Sequence, residues 1–364
     1  MVDIRALRNE GTMRIPFLSK KPRPESAGQT TIWQRRAAAE PGAPGPVSYA
    51  TYDEMERDAM VQTALTVKRL GVLAAKWTIE SSGDAARDRL AEELLARMEG
   101  DPVSVLQGAM DAFAKGWSVQ EMVLQEEGGR VWLRAVRPKD PSSFGVELDE
   151  FGAMTGLVLK VPGEAERKLP LGKFIVYRHR PGYARPKGLS DLDAAYPHWQ
   201  AKRRLLDAWK SHLSRFASPT LLGRYGSTVP AAQQEALLSA LNGIAQHSAL
   251  TVPIDVEVQT LAAHSDASTG FMDAIAFHNR EIARSILGQT LTTDEGARVG
   301  SLALGRVHLQ VMLLQLQALR RELAEAVMTE GLLRPLIELN LGPGPTPRFV
   351  FEETPVPAFT AGTA

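Results

Sequence analysis

The clearest periodicity in the sequence is helical, and it defines three long segments in the second half of the chain. In each segment apolar residues return every three, four or seven positions, as they do on one face of an amphipathic helix. This pattern predicts helices over 197–216, about 268–287 and 301–331. Their apolar positions are Leu205, Leu206, Trp209, Leu213 and Phe216; Phe271, Ile275, Ile282 and Ile286; and Leu302, Leu309, Leu316 and Leu323 with Met312, Leu319 and Ala326.

The first of these helices is predicted to begin at Pro197, because proline donates no hydrogen bond and its φ is already helical. Its polar face carries Lys202, Arg203, Lys210 and Arg215. In the third helix the leucines recur every seven residues, which also fits a coiled coil. A helix buried in the body of the protein is the more common structure for so short a repeat.

The remaining patterns predict an α+β protein. Segments 50–76 and 84–115 have helical character, with a helix start at Asp101-Pro102. From 118 to 176 the pattern predicts strands instead of helices. The strand candidates are VQEMVLQ, RVWLRAV, GLVLKV and KFIVYR, separated by EEGG, DEFG and PGE turns. Between the first two long helices, 218–225, 231–246 and 250–261 predict a strand, a helix and a strand. A last strand is predicted at RFVFEE.

Composition narrows the class of protein. The 364 residues suffice for two or three domains, and residues 1–46 are rich in Pro, Gly and Arg, which predicts a flexible arm. Lys+Arg and Asp+Glu are both 42, and this neutral balance argues against a conventional DNA-binding module, which usually carries a basic excess. No membrane span, signal peptide or cysteine is found.

No catalytic or metal-binding pattern is convincing. The chain lacks the spacing of a phosphate-binding loop and the glycine fingerprint of a dinucleotide fold. His278 and Glu281 are close in sequence, but no third ligand is in view. Asp191 and Asp193 are better interpreted as charges that complement a helix N-terminus than as a metal site. The sequence therefore predicts no metal, no cofactor and no enzymatic activity.

Five segments in order resemble the portal proteins of tailed bacteriophages, of the Mu-like and siphophage type. They are YDEMERDAMVQTALTVKRLGVLAAKWTIE, FAKGWSVQEMV, KFIVYRH, the turn at Gly188-Leu189-Ser190, and the phrase YPHWQAKRRLLDAWKSHLSRFASPT. None of these is diagnostic alone, and the similarity covers roughly residues 50–355.

The resemblance implies a portal fold made of a wing, a two-helix stem, a small clip and a long helix beside the tunnel. The implied divisions are a flexible arm over 1–46, an α+β wing over 47–187, stem helices over 188–217 and 268–287, and a clip over 218–267. A tunnel loop over 288–300, a long wing helix over 301–341 and a strand with a tail over 342–364 follow. Most portals continue into a helical crown, which we expect to be missing or minimal here; the sequence leaves open a minimal portal or a shortened chain.

The resemblance also implies where DNA and an adaptor would be contacted. The tunnel loop would present short polar side chains whose charges nearly balance, although a plain solvent loop is the alternative. The implied positions are Gln289, Thr290, Thr292, Thr293, Asp294, Glu295 and Arg298 in the loop; Lys202, Arg203, Lys210 and Arg215 on the stem; and Arg224, Tyr225 and Gln233 on the adaptor side of the clip.

As a portal, the chain would form a ring of twelve subunits at one vertex of a phage or phage-like capsid. The ring would be assembled in the host cytoplasm and become part of the virion. Its expected partners are double-stranded DNA, the terminase large subunit, the major capsid protein and a head-completion adaptor, and no membrane. The alternative is a nuclease-like enzyme acting on nucleic acid through an unrecognised site.

Overall fold

The computed structural model describes residues 47–182, 185–216, 220–224, 226, 229–243, 257–261, 266–289 and 302–353. Contacts divide the chain into Met1–Gly45, which lies outside the described residues, and Pro46–Ala364. The second unit mixes helices with antiparallel strands, which confirms the predicted α+β class. Among the described residues no helix is long and apolar enough to cross a membrane.

Five helices open the described chain, where helical segments over 50–76 and 84–115 with one internal start at Pro102 were predicted. Asp58 interrupts the first predicted helix, because its carboxylate accepts a hydrogen bond from the N–H of Met60 at 2.9 Å and so caps a new helix. The predicted start at Pro102 is confirmed, with the Asp101 side chain accepting from Val103 at 2.8 Å. The helices are α1 Tyr49–Met55, α2 Ala59–Leu73, α3 Ala85–Arg97, α4 Pro102–Ala109 and α5 Ala112–Lys115.

The strands form four small antiparallel sheets with the orders β1-β10, β3-β2-β7, β4-β5-β6 and β8-β9. Strands β4 and β6 were not predicted; both are short and pair with β5. The strands are β1 Trp77–Glu80, β2 Trp117–Glu127, β3 Arg130–Lys139, β4 Phe144–Leu148, β5 Met154–Leu159, β6 Arg167–Leu169, β7 Phe174–Arg178, β8 Thr220–Arg224, β9 Glu257–Leu261 and β10 Arg348–Phe351.

Two long helices leave and rejoin the body around a small insert. They are α6 Asp191–Phe216 and α8 Asp266–Leu287, and the insert holds β8, the helix α7 Ala231–Gly243 and β9, as the pattern predicted. The predicted start of α6 at Pro197 is wrong by six residues. Ser190 begins the helix, because its hydroxyl accepts from the N–H of Leu192 at 3.0 Å, and Pro197 lies inside it.

The last helical run continues beyond position 331, where the periodicity predicted its end, to Leu341. It comprises α9 Leu302–Leu323, a π-helical stretch Ala324–Leu333 and α10 Arg334–Leu341. Gly331 does not stop it; a Cβ there would lie 3.0 Å from the Ile175 side chain, so the glycine permits close packing on β7. The run ends at Gly342, whose φ is 75°.

The core lies between the short helices, β2, β7 and the last helical run. The leucines that recur every seven residues in α9 are only partly in this core: Leu316 and Leu323 are buried, whereas Leu309 is 49% exposed. Arg320 ties α9 to α2 by donating to the carbonyl oxygens of Val72 at 3.0 Å and Gly71 at 2.6 Å. A second, smaller cluster lies between β2 and β5.

Candidate functional site: the helix pair and its base

A tight turn before α6 fixes where the helix pair leaves the body. Gly188 has a φ of 97°, and a Cβ there would lie 2.2 Å from the carbonyl oxygen of Gly116 and 2.5 Å from that of His179. Only glycine fits both the conformation and the space. Ser190 then donates to the carbonyl oxygen of Ala114 at 2.5 Å, which joins the start of α6 to the end of α5.

The carboxylate of Asp191 is the centre of a buried charged cluster. Its side chain is fully buried and lies 2.6 Å from the ammonium group of Lys68 on α2, and Arg180 donates to it from the end of β7. Burial and then the charge of Arg180 lower the pKa of Lys68 to about 7, while the carboxylate of Glu322 opposes the shift. The interpretation of Asp191 as a simple helix charge was therefore incomplete.

A row of polar contacts extends this cluster from β7 to α9. Nε2 of His179 lies 3.2 Å from Asp191, Nδ1 lies 3.3 Å from the hydroxyl of Tyr177, and that hydroxyl donates to Glu322 at 3.1 Å. Burial, with the charges of Lys68 and Arg180, lowers the pKa of His179 to about 3, so its imidazole is neutral. Two cations and two carboxylates thus balance in this cluster, and they connect α2, α6 and α9.

Farther along α6, Lys202 makes a second attachment to the body. Lys202 is buried and donates to both carboxylate oxygens of Asp58 at 2.8 and 2.7 Å. The same carboxylate caps α2, so one side chain holds two helices together. Arg203 pairs with Glu54 at 2.9 Å, but both groups are about half exposed, and screening by solvent makes that contribution small.

Helices α6 and α8 run antiparallel and touch through aromatic side chains. The Nδ1 atoms of His198 and His278 lie 3.1 Å apart, and the ring of His212 lies 5.7 Å from that of Phe271. The order of these contacts reverses along the two helices, which establishes the antiparallel arrangement. Burial, and then the nearby His198, lower the pKa of His278, while Glu281 opposes the shift.

The end of α8, the start of α6 and helix α9 meet at the base of the pair. Gly288, with a φ of 72°, ends α8. The side-chain amide of Gln289 then donates to the sulfur of Met312 on α9 at 3.1 Å. A cavity of about 310 Å³ lies here; its wall includes Arg180, Ile286 and Leu319. Gln289, the last described residue before position 302, therefore lies at the base of the helix pair.

The structure locates part of the site that the sequence predicted. Gln289 and Lys202 are buried, Arg203 and Lys210 are exposed on α6, and Arg224 and Gln233 are exposed on the insert. The other predicted positions lie outside the described residues, or their side chains do: Thr290, Thr292, Thr293, Asp294, Glu295, Arg298, Arg215 and Tyr225.

Nothing in the described part of the chain resembles a metal centre, since no three His, Asp or Glu side chains come together there. The sequence missed the Asp191 cluster, whose members Lys68, Tyr177, His179 and Glu322 are scattered over more than 250 positions. The one available signal was KFIVYRH, where Tyr177 and His179 continue the strand face that begins with apolar Ile175.

Comparisons with known proteins agree with this architecture. Residues 49–359 match the family described as the portal protein of Mu bacteriophage. The chain is 26% identical over 297 residues to the portal protein of Escherichia phage Mu, and 26% identical over 294 residues to the Mu-like prophage FluMu protein gp29 of Haemophilus influenzae. Each match covers 79% of this chain and 56% of the relative, so the chain spans about half the length of these relatives.

Solved structures support the fold. A chain from the virion of the native gene transfer agent particle matches with a TM-score of 0.61 at 15% identity, covering 85% of this chain and 84% of that one. A chain from the neck of the native particle, computed with C12 symmetry, matches with the same score and identity, covering 85% and 86%. The resemblance drawn from the sequence is thus confirmed: the chain belongs to the family of Mu-type bacteriophage portal proteins.

Proposed function

We propose that copies of this chain form a ring of twelve subunits around a central channel, at one vertex of a phage or phage-like capsid. DNA would enter and leave through the channel, and the outer end of the ring would hold a head-completion adaptor. The single observation that carries the proposal is the antiparallel pair α6 and α8, which is anchored at one end and bears a strand–helix–strand insert at the other. A relative named as a portal protein and a similar neck chain with C12 symmetry support it.

In this proposal the parts of the chain have distinct roles. The wing is 47–187 together with the long helix over 301–341, and the strand in 342–364 pairs with β1 of the wing. The stem is 188–217 and 268–287, the clip is 218–267, and the tunnel loop is 288–300. The arm over 1–46 has no assigned role.

The anchoring cluster suits a stem that must keep its position while DNA moves past it. Asp191 and Lys202 hold α6 at two points that lie eleven residues apart, or about 16 Å at the rise of an α-helix. Two fixed points restrain the direction of a helix, whereas one would leave it free to pivot. The helix pair would therefore act as a strut between the body and the insert.

The neutral net charge suits a conduit. Forty-two basic and 42 acidic residues leave no overall excess to retain DNA by phosphate contacts. In the proposed tunnel loop, Asp294 and Glu295 offset Arg298, and the threonines offer brief contacts to phosphate oxygens. The terminase large subunit would supply the driving force, and the major capsid protein would surround the wing. No group of residues among those described favours the nuclease alternative.

The test is the mass and shape of the purified chain. Native mass spectrometry should give a closed oligomer of about twelve copies, and negative-stain images should show a ring with a central channel. A ring closes through head-to-tail contacts between two different faces of each copy. A dimer with closed twofold symmetry, under conditions in which capsids also assemble, would refute the proposal.

A second test concerns the tunnel loop. Replacing Thr290, Thr292 and Thr293 with leucine, or removing the carboxylates of Asp294 and Glu295, should impair DNA packaging while rings still form. Every subunit of the ring carries the same change, so the effect on the channel is multiplied by the number of subunits. Loss of the carboxylates should increase DNA retention in a manner that added salt weakens. Unchanged packaging with both sets would show that this segment does not line the channel.

A further inference from the structure

The helix pair has an exposed stripe along each of its two outer edges. On α6 the stripe consists of Arg203, Asp207 and Lys210, which are spaced by four and three residues and so share one face. On α8 it contains Asp273 and Phe277, spaced by four. We call these the α6 stripe and the α8 stripe.

Apart from the ring edge of Phe277, which touches His198, the stripes do not face the other helix of the pair. Helix α6 meets α8 through His198 and His212, and α8 meets α6 through Phe271 and His278. Residue 203 lies five positions from 198, and 273 lies five positions from 278. At about 100° of rotation per residue, Arg203 and Asp273 each lie well over a right angle away from the contact face of their helix. The stripes are therefore the two edges of a layer that is two helices wide.

The α8 stripe carries an aromatic side chain, Phe277, that is about half exposed. Phe277 is 47% exposed, although its ring edge also touches His198 at 6.1 Å between centroids. Met272, next to Asp273, is 57% exposed, and Leu213 near the α6 stripe is 46% exposed. Large apolar groups on an exposed helix edge, with charged groups around them, are typical of a protein–protein contact.

The two stripes are complementary in charge and close in height. The contacts of His198 with His278 and of His212 with Phe271 set residues near 207 of α6 level with residues near 273 of α8. Lys210 is then within one helical turn of the height of Asp273. Lys210 is 77% exposed, and its neighbour Asp207, 3.6 Å away, is 75% exposed, so this local pair is weakly held and free to rearrange.

In a ring, each of these two edges can contact a neighbouring copy of the chain. Copies related by rotation must meet through two different faces, and the two edges of a two-helix layer are such a pair of faces. We propose that, in the ring inferred above, the α6 stripe of each copy packs against the α8 stripe of the next copy, with Lys210 opposite Asp273 of that copy. This inference rests on the proposed ring, and it names the surface that closes the ring in the stem.

Charge reversal tests the contact directly. The variants Lys210→Glu and Asp273→Lys should each raise, by about tenfold or more, the protein concentration at which half the chains are in rings, because the unfavourable pair repeats at every interface. The double variant should restore assembly to near the original concentration. Lys173→Glu is the matched control, since Lys173 is exposed on the body before β7.

Cross-linking gives a second measurement that does not depend on stability. The chain contains no cysteine, so Lys210→Cys combined with Asp273→Cys introduces the only two thiols. A short bismaleimide should link these variants into a ladder of covalent multimers, while Lys173→Cys with Asp273→Cys should not. Melting temperatures within about 2 °C of the original chain would confirm that the variants fold.

The outcomes separate this inference from the function on which it rests. Rings that assemble normally in both single reversals, or a double variant no better than the singles, would overturn the stripe contact and leave the ring intact. An original chain that forms only a twofold dimer would overturn the proposed function itself, and the contact with it.

Discussion

Replacing Asp191 with asparagine should strongly destabilise the attachment of α6 to the body. The amide keeps the size of the side chain but removes the charge that faces Lys68 at 2.6 Å and Arg180. Removing one partner of a buried ion pair costs about 3–5 kcal/mol, because the other charge stays buried without compensation. Arg180 is half exposed and can turn toward water, so most of the loss comes from Lys68, whose side chain is 11% exposed.

The loss should depend on pH in a definite direction. Burial already lowers the pKa of Lys68, and without the carboxylate of Asp191 it should fall further. A lysine whose folded pKa lies below its unfolded value of about 10.4 gains stability as pH rises, since the unfolded chain then binds more protons. The pKa of Lys68 is about 7 with Asp191 in place and should be lower without it, so the destabilisation by Asp191→Asn should be greatest in acid, below the lowered pKa, and smaller and nearly constant above about pH 7.

Thermal melting followed by tryptophan fluorescence measures this effect, since Trp199 lies on α6 close to the anchor. A loss of 3–5 kcal/mol in a chain of this size should lower the Tm by about 5–10 °C. The matched control is Asp53→Asn, an exposed aspartate on α1 whose pair with Lys115 is screened by solvent, and oligomeric state must be equal in all samples. A shift no larger than that of the control, or one independent of pH, would refute the reasoning.

Three further predictions concern the same helix pair. Gly188→Ala should reduce the yield of folded protein severely, because its Cβ would lie 2.2 Å from a backbone oxygen. Gly163 also has a positive φ but nothing within 4 Å, so the control Gly163→Ala should cost only about 1 kcal/mol. Equal yields of the two variants would contradict this. Stability should fall as pH drops through about 6.5, because the pKa values of His179 and His278 are both lower in the folded chain. His278→Ala should flatten the curve of Tm against pH in part and leave the contribution of His179; a curve that His278→Ala does not change would contradict this. Lys202→Ala should lower the unfolding free energy by about 2–4 kcal/mol, since it leaves a carboxylate that is 11% exposed without its cation; a loss under about 1 kcal/mol in chemical denaturation would argue against a structural role.

Local patterns in the sequence were sufficient for most of the elements. The periodicity of Phe271, Ile282 and Ile286 predicted α8, and the turn residues between apolar runs predicted β2, β3, β5 and β7. A helix start was predicted correctly where a capping side chain precedes a proline, as at Asp101-Pro102. It was predicted wrongly at Pro197, where the proline alone was taken to mark the first residue of the helix. Proline is compatible with the first turns of a helix as well as its first residue, so it does not by itself fix the start.

What the sequence determined was the order of segments and which face of each helix is apolar, and that order was enough to recognise the family. What only the tertiary structure decided was which partner covers each face. Leu309 and Leu316 occupy equivalent positions of one repeat, yet only Leu316 packs on α2, where Gly71 leaves room for it. Lys68 and Asp191 are 123 residues apart, and nothing local in either segment marks them as a pair. The periodicity of a segment predicts which of its faces is buried, because the hydrophobicity of each residue is a local property. The partner of a buried charge cannot be predicted in this way, because the whole fold brings the two groups together.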